Sequence, residues 1–140
     1  MLCVIGTIFF TLFIWTVWGN TALMTNAVAI SSSRIPAAFS GFRIAQVSDL
    51  HNAEFGKNNA ELLKLLSESK PDIIVITGDL IDANHTDVGI ALGFAQESVR
   101  IAPTYYVTGN HEAASPQYDT LKAGLECSCT VKKQATENKR

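Results

Sequence analysis

Apolar positions along this chain fall into one long block and three short ones. Residues 1–18, MLCVIGTIFFTLFIWTVW, carry no charged side chain, and the uncharged stretch continues to Ser33. Further on, FRIAQVS (42–48), IIVIT (73–77) and TYYVT (104–108) are rich in β-branched and aromatic residues, the composition of strands. The segments between them repeat at helical spacing. Leu62, Leu63 and Leu66 share a stripe in AELLKLLSES, and Val88, Ala91, Leu92, Ala95 and Val99 share another over about 86–100. Asn58 or Asn59 is placed to cap the first of these helices, and Thr86 or Asp87 the second. A third helix is predicted from Pro116 to about Gly124, with Ser115 as its cap and proline in its first turn. Asn26–Ile30 reads as a short edge strand before Ser31-Ser32-Ser33 and Pro36 break the chain.

Strand, helix, strand, helix, strand is an α/β pattern, and the helical connections are long enough for parallel crossovers. The uninterrupted Ile73–Thr77 run suits a central strand covered on both faces. The first block is different. A membrane helix needs roughly 17–25 mostly apolar residues, and Trp15 and Trp18 suit an interfacial belt. The expected organisation is therefore a transmembrane helix at 1–18, a connector at 19–40, an α/β region at 41–126 and a polar tail at 127–140. A cleaved secretory signal is the rival for the front end. AVA at 27–29 offers a small-residue cleavage site, but the basic leader is missing. The first basic residue is Arg34, too far from the block to set which side of a membrane the rest occupies.

A net charge of −2 gives no basic footprint for nucleic acid. Three cysteines, Cys3, Cys127 and Cys129, are too few for a disulfide scaffold, and the C-x-C pair lacks the further ligands that zinc would need. No glycine-rich phosphate loop is present.

The chemistry gathers where ligands collect in α/β sheets, just past the carboxyl ends of strands. VSDLH (47–51) supplies Asp49 and His51, ITGDLID (76–82) supplies Asp79 and Asp82, and VTGNHE (107–112) supplies Asn110, His111 and Glu112. A carboxylate and an imidazole two residues apart can share one ion, and such ligands suit Mn²⁺, Fe²⁺ or Zn²⁺. Gly78 permits close backbone approach beside Asp79. His111 can bind metal or move a proton; the residues alone leave both open. His85 and Asp87 read as solvated, with Asp87 near a helix start. Any one of these motifs alone would ordinarily be a turn or a surface pair. Three at successive strand ends are not independent turns.

The order D-x-H, G-D-x-x-D, G-N-H-E resembles the calcineurin-like metallophosphoesterases, of the membrane-associated bacterial type. Asp49-Leu50-His51, Gly78-Asp79-Leu80-Ile81-Asp82 and Gly109-Asn110-His111-Glu112 carry the likeness, which extends over about residues 41–125. The resemblance implies a sandwich of two sheets flanked by helices, four layers when complete, of which this chain would supply the N-terminal half. It implies two divalent metal ions and hydrolysis of a phosphoester by an activated water in line with the leaving group. Asp49 and His51 would bind the first ion, Asp79 would bridge, and Asn110 would bind the second and help position phosphate. His111 would act at the leaving group, as proton donor or charge stabiliser. Asp82 and Glu112 would orient loops and histidines.

The family pattern continues with a further histidine and a G-H-x-H motif, whereas no histidine follows His111 here. The tail CSCTVKKQATENKR is polar where a strand is expected, as a frameshift or truncation would make it. The expectation is partial metal occupancy or none, poor folding of the chain alone, and weak or absent hydrolysis. Two other readings compete: a non-catalytic membrane-anchored fragment, and a metal- or small-molecule-binding α/β protein. The expected partners are a membrane and a phosphoester of unspecified identity.

Overall fold

The computed structural model describes residues 2–21, 23–84, 86–128 and 130–131. The chain divides into two compact units, Met1–Ile30 and Ser31–Arg140.

The first unit is built on helix α1, Leu2–Thr21. Its side chains are described over residues 4–16, where Val4, Ile5, Ile8, Phe9, Phe10, Leu12, Phe13, Ile14 and Trp15 are all exposed. Apolar groups thus point outward on every side, and Thr11 and Thr16 turn their hydroxyls back onto backbone carbonyls of the preceding turn. The transmembrane helix expected at 1–18 lies partly outside the residues whose side chains are described. Among the described residues no helix is long and apolar enough to cross a membrane. The side chain of Trp18 lies outside the described residues. Asn26–Ile30 forms no strand with any of the described residues, and Val28 and Ile30 are exposed.

The second unit is a parallel sheet in the order β1 (Ile44–Val47), β2 (Ile73–Ile76), β3 (Thr104–Tyr106), β4 (Thr130–Val131). The three predicted strands form, each shorter than its apolar run. The fourth is a two-residue strand at the edge of the sheet, where Thr130 and Val131 pair with Tyr105 and Tyr106; the tail is expected only not to make a buried central strand. Helices connect the strands: α2 (Ala60–Ser69), α3 (Val88–Ile101), then α4 (Asn110–Ala114) and α5 (Tyr118–Ser128). Sequential strand order with crossovers of one hand puts these helices on one face of the sheet, where α3 packs between α2 and α5.

That face carries the core. Val47, Ile74, Ile76 and Tyr106 point to it, against Leu62, Leu66, Phe94, Ala95, Leu121 and Leu125. The opposite face stays open among the described residues: Ile44 is 61% exposed, and Ile73, Val75 and Tyr105 are half-buried. Among the described residues the Ile/Val run of β2 is therefore covered on one side, not two.

Local chemistry explains where the helices deviate from expectation. Asp87 caps α3, accepting from the N–H groups of Gly89 and Ile90 at 2.8 and 3.2 Å. The buried stripe of α3 is Ala91, Phe94, Ala95 and Ser98, rotated from the predicted one, and Val99 faces out. Phe94 dominates because a ring buries more apolar area than valine. Asn59 does not cap α2 through its side chain. It sits buried in the left-handed region and accepts from the N–H of Phe55 at 3.0 Å, closing the preceding loop. Pro116 lies in a turn before α5, with Ser115 accepting from the Gln117 N–H at 3.2 Å. His85 and the residues beyond Val131 lie outside the described residues, as does Cys129; Cys127 is an exposed free thiol.

Candidate metal centre

Three loops leave the carboxyl ends of β1, β2 and β3 and meet. They are held by backbone first. The N–H of Asp49 donates to the Gly78 carbonyl at 3.2 Å, that of His51 to Asp79 at 2.9 Å, and that of Asn52 to Leu80 at 2.9 Å. These bonds extend the β1–β2 alignment past the strands with a changed backbone. Asp49, His51, Asn52 and Asp79 all adopt positive φ, at 57°, 46°, 59° and 53°. Left-handed geometry is uncommon for residues with a Cβ, and it gathers where surrounding contacts impose it.

Two glycines let the second and third loops touch. Gly78 has φ +102°, and a Cβ there would lie 2.6 Å from Gly109 Cα. A Cβ on Gly109 would collide with Asp79 Oδ1 and the Asp79 nitrogen. The contact is therefore backbone on backbone.

Glu112 locks it. The side chain is fully buried on α4 and accepts from four backbone N–H groups: Asp79 at 2.8 Å, Leu80 at 2.5 Å, Ile81 at 3.3 Å and Gly109 at 2.9 Å. One carboxylate thus satisfies the start of α4 and the whole turn after β2. In return Asp79 Oδ1 accepts from the His111 N–H at 2.9 Å.

Within this frame the side chains converge in two overlapping groups. Asp49, His51 and Asp79 bring ligand atoms within 4.8 Å of one another, and so do His51, Asp82 and His111. The His51 and His111 rings meet edge to face, centroids 4.4 Å apart. His51 Nε2 lies 3.8 Å from Asp49 Oδ1. His51 Nδ1 is buried with no hydrogen-bond partner among the described residues, an orphaned ligand atom that a cation would satisfy. Imidazoles with carboxylates are the donor set of Mn²⁺, Fe²⁺ and Zn²⁺. The residues present therefore fit a divalent metal. Asn110 opens α4 and is exposed beside His111. Asp82, expected only to support the histidines, has its carboxylate as close to them as a ligand would be.

His111 Nδ1 accepts from the Ala83 N–H at 3.3 Å, which leaves Nε2 as the nitrogen bearing hydrogen in the neutral ring. Beneath the loops, burial and then the Glu112 charge push the Tyr106 hydroxyl above its ordinary range, so it stays protonated.

Sequence reasoning missed Asn52. Its side chain accepts from the N–H groups of Asp82 and Asp87, both at 3.1 Å, and donates to the Asp87 carbonyl at 2.7 Å. Its only sequence signal is its place directly after His51. The short helix α4 was missed too, since NHEAA has no apolar stripe.

Comparison with known proteins agrees with this arrangement. The sequence model of the calcineurin-like phosphoesterases matches residues 42–132. The uncharacterized metallophosphoesterase YkuE of Bacillus subtilis is 43% identical over 60 residues, covering 41% of this chain and 21% of that protein. The uncharacterized metallophosphoesterase Cj0846 of Campylobacter jejuni is 35% identical over 98 residues, covering 66% of this chain and 25% of that protein. A transmembrane protein with metallophosphoesterase domain from Danio rerio is 30% identical over 88 residues, 61% of this chain and 20% of its own length. The chain thus spans a fifth to a quarter of the length of these curated relatives. No solved structure matches it significantly. With the three loop motifs inside the matched region and meeting at one place, the chain belongs to the calcineurin-like phosphoesterase family.

Proposed function

We propose that this chain provides metal-binding and leaving-group residues for metal-dependent hydrolysis of a phosphoester. The observation that carries the reading is the convergence of Asp49, His51 and Asp79, whose ligand atoms lie within 4.8 Å of one another, with His51 Nδ1 buried and unpartnered among the described residues. Asp49, His51 and Asp79 would hold one divalent ion; Asp79 and Asn110 would reach a second. When bound, such ions supply positive charge to the phosphoryl oxygens and lower the pKa of an attacking water. Glu112 fixes the Asp79 backbone, so its carboxylate need not reorganise as charge develops. His111 offers Nε2–H toward the departing oxygen. Its Nδ1 is occupied as an acceptor, which supports a hydrogen-bonding stabiliser of the leaving group over a full proton donor. Asp82 brings a ligand atom within 4.8 Å of those of both histidines.

The two donor groups share His51, so this chain by itself is expected to take one ion well and a second poorly. Turnover of a generic aryl phosphate by the purified chain is accordingly expected to be weak or absent. The test is calorimetric titration with Mn²⁺. Saturable binding by the native chain, lost in Asp79→Asn and His51→Ala, is the expected outcome. A native chain that binds no Mn²⁺ in the millimolar range would overturn the reading.

We further propose that α1 associates the chain with a membrane. Its exposed apolar side chains on all sides support this, as do the printed names of the Danio rerio and Bos taurus relatives, each a transmembrane protein with metallophosphoesterase domain. The phosphoester itself is unspecified.

A further inference from the structure

We propose that Asn52 is a positioning residue of the metal centre, setting the Asp82 carboxylate against His51 and His111. The inference rests on the metal-binding reading above and adds to it a residue that neither the motifs nor the donor groups contain.

Asn52 uses every polar atom of its side chain. The amide oxygen accepts from Asp82 N–H and Asp87 N–H at 3.1 Å each, and the amide nitrogen donates to the Asp87 carbonyl at 2.7 Å. Its own N–H is committed to the Leu80 carbonyl. One half-buried side chain thus ties the backbone of Asp82 and the cap residue of α3 to the loop that carries His51. The Asp82 carboxylate is steadied in turn: it accepts from the Asn84 N–H at 2.7 Å, and the Asp82 carbonyl accepts from the Thr86 hydroxyl at 2.7 Å. With its main chain pinned, Asp82 brings a ligand atom within 4.8 Å of those of His51 and His111.

The residue type is chemically specific. Two N–H groups need an oxygen acceptor and a carbonyl needs a donor, and an amide supplies both from one planar group. Aspartate would keep the acceptor and lose the donor. The positive φ of 59° is also one that asparagine tolerates better than most residues.

Asn52→Gly removes the amide while keeping a residue at ease in the left-handed region. The full chain and this variant are titrated with Mn²⁺ by calorimetry, and amide hydrogen exchange is followed without metal. Because partners behind metal ligands typically contribute ten- to hundredfold to affinity, Asn52→Gly is expected to weaken Mn²⁺ binding by about that factor. Its far-ultraviolet circular dichroism should stay native. The Asp82 and Asp87 amides should exchange faster, while the Asp79 amide, held by Glu112, keeps its protection. Asn52→Asp should retain protection at Asp82 and Asp87. Native Mn²⁺ affinity in Asn52→Gly, or unchanged exchange at Asp82 and Asp87, overturns the proposal while the metal-binding reading stands. Absence of Mn²⁺ binding by the native chain overturns both.

Discussion

Glu112 shows how much of this centre depends on one side chain away from the ligand groups. Its carboxylate is the acceptor for four backbone N–H groups in two loops. A stranded buried donor costs about 1–3 kcal/mol, so Glu112→Ala should loosen the turn after β2 beyond the range of an ordinary point mutation. Amide exchange at Asp79, Leu80 and Ile81 is the measurement; native protection at all three would show the staple to be dispensable. Glu112→Gln should rescue only in part, because the amide turns an NH₂ group toward N–H donors. Tyr106 makes a prediction in pH. The unfolded side chain ionises near 10, whereas burial and Glu112 hold the folded one protonated to higher pH. Above pH about 10 the unfolded state binds fewer protons than the folded state, so stability falls as pH rises. Its contribution is complete below the unfolded value and disappears toward the folded one. Urea midpoints at pH 8 and 11 should therefore drop further for the native chain than for Tyr106→Phe. Equal drops would refute the assignment.

At the scale of elements, α3 separates periodicity from packing. The sequence stripe places Val99 inside, yet Val99 is 38% exposed, while Phe94 and Ser98 are buried. Removing a buried aromatic side chain typically costs about 3–5 kcal/mol, whereas an exposed substitution costs within about 0.5 kcal/mol. Phe94→Ala should therefore lower the urea midpoint sharply and Val99→Ala barely move it. Similar losses from both would return the helix to its predicted orientation. The reason for the rotation is local. Asp87 fixes where the helix starts, Asn52 fixes Asp87, and the ring of Phe94 is then buried with Ala95 and Ser98. The cap was legible in the sequence; its tether to the loop after β1 was not.

For the whole molecule, two units raise two different questions. The exposed apolar side chains of α1 need a covering environment, for which a bilayer interface or core is one solution. Flotation of the purified chain with phosphatidylcholine vesicles should carry it upward. A Phe9→Asp, Phe13→Asp variant should stay behind, since an acidic residue at the centre of an inserted helix costs about 2.5–3.5 kcal/mol. Equal flotation would place the membrane contact elsewhere or nowhere. In the second unit, the site at the carboxyl ends of the strands is built entirely from connections between parallel strands. Its geometry therefore depends on the sheet register that brings Val47 beside Ile76, and Ile76 beside Tyr106.

The sequence by itself determined the class of fold, the places of β1, β2 and β3, the cap of α3 and the chemistry-bearing residues at the strand ends. Those follow from local properties: β-branched runs, helical spacing, and polar side chains just past strands. It also determined family, because three spaced motifs survive reading without a structure. It did not determine the rotated face of α3, the helix α4, the strand at Thr130–Val131, or the half-open sheet. Each of these depends on which surfaces are covered, and coverage is a property of the assembled chain. Least legible was the wiring of the centre. Asp79 and Glu112 are 33 residues apart, and Asn52 and Asp87 are 35 apart. No local pattern encodes such a hydrogen bond; only parallel strands in register, with Gly78 against Gly109, bring the partners within reach.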